Sequence, residues 1–482
     1  MKKILLPALL LCSMLTALQS QELVEAEFLV SYTKTDLQNQ FGSFIEYGAD
    51  LYRVLYTTQD VHGVPDTASG LLVVPNQDGL SYPLLCYQHG TVNSREDVPF
   101  HLQGGYQLAL VFGAMGYITT AADFLGLGEA RGFHPYVHAD SEAWAAVDML
   151  YAAGDFMDQQ GIAYHNQLFL TGYSQGGHAS MALHRLIEDA YADEFELAAA
   201  SHMSGPYDIS GAMVEFTLGD TEYFFPGYLA NVALSFQTVY GIYDDLYDFF
   251  KTEYADKIQQ YYEEQITLSD VNDFMITKLT QDYGGSIPKY MLQDSILNAL
   301  LNDPTHPASQ ALAANDVFDW TPAAPTRIVY CQADDQVYYR NSVVADSVMK
   351  ENGALLVDRV NVNANADHGG CVEPAANFTL IFFSFLQDVV DLVDVEAQQT
   401  FEAQLSLHPN PATDWLQVEV RAWPTPELSY QILDLSGKVV ATGSSNASAV
   451  FQIHISHLPE GLYAIQLNNG AQQYSQIFLK NE

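Results

Sequence analysis

The sequence predicts an α/β protein, with a mostly parallel sheet covered by helices on both faces, followed by a small all-β sandwich. Three observations carry this. From about residue 47 to 208, and again from 326 to 393, short apolar runs alternate with stretches of helical spacing. That alternation is the pattern of strand–helix–strand units. From about 209 to 321 it stops, and the chain is helix-like and rich in aromatics, among them Tyr223, Phe225, Tyr228, Phe236 and Tyr261. From Leu405 the texture changes again, to six or seven short strands with turn signals in under a hundred residues, as in a small sandwich. The expected division is therefore 1–20 a signal peptide, 21–395 the α/β unit with an insertion at about 209–321, 396–404 a linker and 405–482 the β unit.

The bulk numbers fit that division. A chain of 482 residues is too long for one small core. A hydrophobic content of 48% with 16% charged residues suits globular structure throughout. A formal charge of −41 argues against a nucleic-acid partner, which would need clustered Lys and Arg, and weakens attraction to anionic membranes. No Asp-x-Asp-x-Asp-Gly loop is present, so no metal site is proposed.

In chain order, Lys2 and Lys3, the apolar run Ile4–Leu11 and the small residues 17–20 read as a secretory signal cleaved before Gln21, too short to span a bilayer. Leu11 is too bulky before Cys12 for a usual lipid-anchor signal. No later stretch is long and apolar enough to cross a membrane. Residues 22–47 form a mixed lead-in. Residues 52–58 and 68–74 alternate like a hairpin, and 83–88 is a buried strand ending in His89-Gly90-Thr91. A helix is expected over 102–115, a strand over 117–122 before Asp123-Phe124-Leu125-Gly126-Leu127-Gly128, and a helix over 141–156. Strands follow at 168–170 and 197–202, then at 326–331 and 355–361 after the insertion, with a last helix at 377–393. An insertion between two strands of such a sheet reads as a cap over the strand ends, where ligands bind. Most of its aromatics are expected to pack helix on helix.

The chemistry centres on Gly172-Tyr173-Ser174-Gln175-Gly176-Gly177, between an apolar strand and a helix. Gly-x-Ser-x-Gly in that context is a nucleophile elbow, a strained turn that lifts a serine hydroxyl above the sheet. Side chains at 172 and 176 would collide with the neighbouring strand and helix. An acyl-transfer serine needs a base, a carboxylate to orient it and donors for the oxyanion. His368, after the last strand, is placed to be the base. The carboxylate should end the preceding strand, where Asp334 is preferred to Asp335 by its spacing to Val337. The oxyanion donors are expected to be the backbone N–H of Gln175 and that of Thr91, with Gly90 next. His89, His134, His138, His178 and His202 read as packed or surface residues, and Asp367 as solvated. Of the cysteines left after cleavage, Cys331 and Cys371 each lie near a candidate catalytic residue and are expected to pair, while Cys86 is a buried apolar residue.

The span from about 47 to 393 resembles the α/β-hydrolase superfamily, with chain order Ser…Asp…His. Within it, Gln88-His89-Gly90-Thr91, Asp123–Gly128, the elbow, Gly205-Pro206-Tyr207-Asp208 and Asp319-Trp320-Thr321-Pro322 resemble the secretory lipase group, whose members carry a helical cap. One departure is Phe124, where the pattern usually has Tyr. The resemblance implies cofactor-free hydrolysis of carboxylic esters, often of lipids. The tail is similar to the C-terminal sorting domain of the type IX secretion system. It carries Leu407-His408-Pro409-Asn410-Pro411-Ala412, then Tyr430–Lys438 and Leu458-Pro459-Glu460-Gly461-Leu462-Tyr463, with Lys480 near the end. That resemblance implies export through the outer membrane to the cell surface or beyond, with the secretion machinery as partner.

The expected function is thus a secreted serine esterase or lipase acting through Ser174, His368 and Asp334. A serine peptidase on the same scaffold is the second reading. It would need a cap carboxylate, Glu215 or Glu222, to hold a substrate amine. A non-catalytic surface binding protein is the third, and an intact Ser, Asp and His set argues against it.

Overall fold

In a computed structural model of the protein, the described residues are 22–392, 404–421, 427–434, 438–446, 450–468 and 473–481. The signal peptide, Cys12 and nearly all of the expected linker lie outside them. Strands β1 (Leu23–Tyr32), β2 (Ala49–Gln59), β3 (Pro65–Pro75), β4 (Leu80–Gln88), β5 (Ile118–Ala122), β6 (Tyr164–Tyr173), β7 (Glu196–Met203), β8 (Thr326–Tyr330), β9 (Val357–Asn361) and β10 (Val390–Asp391) form one sheet. Its order is β1-β2-β3-β5-β4-β6-β7-β8-β9, with β10 paired to β4. Strands β5 to β9 run parallel with β4, while β1, β2 and β3 join antiparallel at one edge.

Helices α1 (Lys34–Phe41), α2 (Tyr106–Ala114), α3 (Ala139–Gln160) and α4 (Gln175–Ala190) cover the first half of the sheet. One layer of core packs Leu72, Leu84 and Leu170 with Val147 and Met181, and the other packs Leu71, Leu85 and Phe169 with Phe112 and Phe383. Alternate residues of each strand thus feed opposite faces, as a doubly covered sheet requires. Between β7 and β8 the cap carries α5 (Val214–Thr217), α6 (Gly227–Tyr240), α7 (Leu246–Phe249), α8 (Thr252–Tyr262), α9 (Leu268–Tyr283), α10 (Asp294–Asn302) and α11 (Pro307–Ala314). It has its own core of Phe236, Phe250, Tyr254, Val271 and Met275. After it come α12 (Arg340–Glu351) and α13 (His368–Ser384).

Three sequence expectations change. The lead-in is a strand and a helix. β1 pairs with β2, and α1 starts from a Thr33–Asp36 capping box. Helix α2 starts at Tyr106 rather than 102, because Gly104 and Gly105 turn left-handed at φ 55° and 81°. The last helix begins at His368 and ends at Ser384, so residues 377–393 are only partly helical. Asp367 is exposed, as expected, and is also the N-cap of this helix, accepting from Gly370 N at 2.7 Å.

The tail is all-β. Strands β11 (Gln404–His408), β12 (Trp415–Arg421) and β15 (Val450–His454) form one sheet. Strands β13 (Glu427–Asp434), β14 (Val439–Asn446), β16 (Gly461–Asn468) and β17 (Gln473–Lys480) form the other. Leu416, Val418 and Ile453 from the first pack on Ile432, Ile465 and Phe478 from the second, as in a sandwich. The Pro-Asn-Pro motif has a local explanation. Asn410 accepts from Leu479 N at 2.8 Å and donates to the Ile477 carbonyl at 3.3 Å, lying along β17 like a strand.

Candidate active site

The site is built where β6, β8 and β9 end. Strand β6 turns into α4 at Ser174, whose φ of 61° and ψ of −123° lie far from both strand and helix. A non-glycine residue held there costs about 1–3 kcal/mol and persists only where its surroundings over-determine it. A Cβ on Gly172 would come within 2.1 Å of the Gly176 carbonyl, and one on Gly176 within 1.9 Å of that of Gln88. Only glycine lets β4, the turn and α4 approach this closely.

Above β9, His368 opens α13, buried at 7% exposure. Its Nε2 is 2.8 Å from Ser174 Oγ and its Nδ1 is 2.7 Å from Asp334 Oδ2. The other oxygen, Asp334 Oδ1, accepts from the backbone of Gln336 and Val337 at 3.0 and 2.8 Å, so the carboxylate cannot swing away from the ring. Asp335 has a different task, accepting from His368 backbone N at 3.2 Å. Tyr173 OH donates to the His368 carbonyl at 2.5 Å. A disulfide joins Cys331, at the end of β8, to Cys371 in the first turn of α13, and Cys86 is the buried free thiol, its pKa pushed up to about 11. The bridge ties the loop of Asp334 to the helix that His368 opens.

Gln175 follows the serine, and Gly90 and Thr91 belong to the loop after β4. As the first residue of α4, Gln175 has a backbone N–H with no acceptor inside the helix. A Cβ on Gly90 would lie 3.5 Å from that of Ser174, which puts the loop after β4 against this serine. Thr91 Oγ1 lies 3.0 Å from Tyr136 OH. This loop is held from below. Asp123 is buried, accepts from Ser69 Oγ and Phe100 N, and has its carboxyl pushed up to about 7 by burial. Phe124, at φ 68°, packs its ring on His89, which bonds the Gly90 carbonyl at 2.7 Å.

Two neighbouring cavities share Tyr136 and Gln175. One includes Ser174 and is apolar, lined by Met213, Leu218, Leu229, Val232, Leu300 and Leu312, with no charged residue in its lining. The other, about 320 Å³, has a mixed lining, with Leu127, Phe133 and Ile266 beside the polar and charged Asn93, Arg95, Glu264 and Asp270. The cap sits on the same loops. Leu268 N and Ser269 N donate to Asn93, Arg95 pairs with Glu264 at 3.0 Å, and Tyr223 and Tyr228 donate to Gln336 beside Asp334. Among the described residues, no group of three or more His, Cys, Asp and Glu side chains is arranged to hold a metal ion.

The histidines read as packed are so. His202 is buried between Ser180 and His184, and His138 caps α3. The sequence reading missed Glu142, a carboxylate of α3 at 1% exposure that accepts from Gln175 Nε2 and faces His178 Nδ1, both at 2.8 Å. Glu215, offered as an amine anchor, is paired with Arg340 at 3.0 Å, and neither it nor Glu222 lines either cavity.

The secretory lipase family model matches residues 102–359, more than half of the chain. The chain belongs to the secretory lipase family. Residues 406–481 match the secretion system C-terminal sorting domain, which fits export by the type IX route. Among solved structures, the chain is similar to the rice cell wall degrading esterase LipA from Xanthomonas oryzae, at 26% identity and TM-score 0.65, covering 78% of this chain and 97% of that one. A putative hydrolase from Legionella pneumophila, at 22% identity, covers 79% and 100% with TM-score 0.66. Candida antarctica lipase A in its closed state, at 15%, covers 76% and 81% with TM-score 0.55. These last two share the fold. No curated protein matches the chain. As a secretory lipase family member with an α/β-hydrolase fold and a sorting tail, it is a secreted ester hydrolase. No helix among the described residues is long and apolar enough to cross a membrane.

Proposed function

We propose that the protein is a serine esterase that cleaves carboxylic esters through an acyl-enzyme. The observation that carries this reading is the single line Asp334 Oδ2–His368–Ser174 Oγ, closed at 2.7 and 2.8 Å in a buried site. His368 Nε2 takes the Ser174 proton as Oγ attacks the ester carbonyl carbon. The carbonyl π electrons move to oxygen, and the Gln175 and Thr91 N–H groups, with Gly90 setting the loop's approach, receive the negative charge. As the carbonyl re-forms, the C–O bond to the alcohol breaks, and the alkoxide takes the proton from His368. Water then repeats the sequence on the acyl-serine. Asp334 holds the ring in the tautomer that accepts at Nε2 and stabilises the imidazolium.

The acyl chain is assigned to the apolar cavity, since it opens on Ser174 and has no charged lining group. The apolar cavity offers no carboxylate for a substrate amine, so an aminopeptidase would have to use Glu264 or Asp270 of the other cavity. The domain limits 21–395 and 405–482, with the insertion as a cap, belong to this proposal, as does passage of the tail through the type IX machinery.

The test is hydrolysis of p-nitrophenyl esters from acetate to palmitate by the full mature chain and by Ser174→Ala, with an aminoacyl-p-nitroanilide alongside. Ester turnover that disappears in the variant is expected. Anilide cleavage without ester turnover would sink the esterase reading in favour of the peptidase, and no turnover of either from folded protein would favour a binding role.

A further inference from the structure

Hydrogen-bond accounting around Gln175 leads beyond the three catalytic side chains. His134 Nδ1 lies 2.8 Å from the Leu125 carbonyl, which only accepts, so this nitrogen carries the proton and Nε2 presents a lone pair. Burial agrees, pushing the His134 pKa down to about 3. Gln175 Nε2 stands 2.8 Å from that lone pair and 2.8 Å from Glu142 Oε1. Both amide hydrogens are therefore used, and a flipped amide would set its oxygen against a carboxylate and a ring lone pair. The side chain has one orientation.

Glu142 is held in turn. Its Oε2 is 2.8 Å from His178 Nδ1, and His178 Nε2 is 2.9 Å from the Asn315 carbonyl. That carbonyl only accepts, so Nε2 is protonated, and a second proton is shared between Nδ1 and the carboxylate. Asn315, just past α11 of the cap, also accepts from Ala139 N and donates to Tyr240 OH. The chain of bonds runs from Gln175 through Glu142 and His178 into the cap, and its four members are 1% exposed or less.

We propose that Glu142 is a positioning residue for ester hydrolysis. By fixing the Gln175 side chain it sets the direction of the Gln175 backbone N–H, and through His178 and Asn315 it ties that direction to the seat of the cap. Ser174 just before is strained, so the turn keeps its geometry only while its neighbours hold it. An oxyanion donor is sensitive to placement, and a displacement of about 1 Å can cost about 100-fold in rate.

This rests on the reading of Gln175 as an oxyanion donor, and the test separates the two. Full mature protein and its Glu142→Ala, Glu142→Gln and Gln175→Met variants are assayed on p-nitrophenyl butyrate, with working sites counted by the p-nitrophenolate released on inactivation by diethyl p-nitrophenyl phosphate. Absence of parental turnover that depends on Ser174 would defeat the esterase reading itself. Given that turnover, kcat per counted site is expected to fall about 10- to 100-fold in Glu142→Ala with KM within about twofold. Glu142→Gln can accept from Gln175 and donate to a neutral His178, so it should return kcat to within about threefold of the parent. A residue that only stabilises the fold would lower the number of counted sites and leave kcat per site alone. Parental kcat per site in Glu142→Ala, or a Glu142→Gln variant as slow as Glu142→Ala, overturns the proposal. Should Glu142→Ala not fold, Gln175→Met keeps the Glu142–His178 pair intact, and parental kcat there overturns it as well.

Discussion

His368 with Asp334 and His178 with Glu142 are alike on one side of each ring. Both present Nδ1 to a carboxylate, at 2.7 and 2.8 Å, and both are buried. They differ at Nε2. In His368 it meets a hydroxyl beside an apolar cavity, and in His178 it meets a main-chain carbonyl. A hydroxyl can give up a proton and a carbonyl cannot. The difference teaches that a buried histidine–carboxylate pair is not by itself catalytic machinery, and that the partner of the second nitrogen decides its use.

The largest expected effects test that contrast directly. His368→Gln should lower kcat by about 10⁴- to 10⁶-fold on p-nitrophenyl butyrate. His178→Gln should keep kcat within about tenfold, although both variants disturb a buried histidine–carboxylate pair and each should lower stability by up to about 3 kcal/mol. If both variants lose activity alike, the contrast fails.

Asp334→Asn should cost about 10⁴-fold in kcat by stabilising the wrong tautomer. Asp335→Asn, which touches only the His368 backbone, should cost less than about tenfold. Equal losses would mean that the two carboxylates share the role.

A smaller effect is acid lability. Burial pushes His134 down to about 3 and His138 to about 4, and lowers His89 and His202. These rings are neutral in the fold. Their stability contribution is fully present above the ordinary histidine value near 6.5 and is lost as pH falls from there toward 4 and 3, because the unfolded chain takes up protons first. Asp123, raised to about 7, opposes them, since its native form gains a proton between pH 7 and 4 while the unfolded form stays ionised. The urea midpoint of Ser174→Ala should therefore fall between pH 6.5 and 4, and more steeply once Asp123→Asn is added. A steeper slope without the histidine-driven fall, or no change in slope, would refute this balance.

The smallest effect is at the surface. Glu215→Gln removes an exposed pair with Arg340 and should change stability by under about 1 kcal/mol, with kcat unchanged. A rise in KM for an aminoacyl substrate would instead revive Glu215 as an amine anchor.

What was legible in the sequence follows from distance along the chain. Ser174, Asp334 and His368 each sit in a local signal, a strand end followed by a turn, and the order of such signals fixes how the sheet brings them together. Glu142 had no such signal. Its partners are 33 and 36 residues away, and α3 is buried nearly all round, so no polar face set this acid apart from a solvated one. The start of α13 was hidden because Gly369, Gly370 and Pro374 resemble a loop, although Asp367 was there to cap it. Strand β1 has no fully buried residue at the sheet edge, which erased the alternation that would have marked it.

One covalent link adds a matter of timing. The Cys331–Cys371 bond spans the two segments that bring Asp334 and His368 together. Cytosolic thiols are kept reduced, and such a bond forms only in an oxidising compartment. A chain still inside the cell would have only the noncovalent bonds at Asp334, Asp335 and Tyr173 to hold this alignment, and the covalent clasp closes once the chain has left the reducing interior.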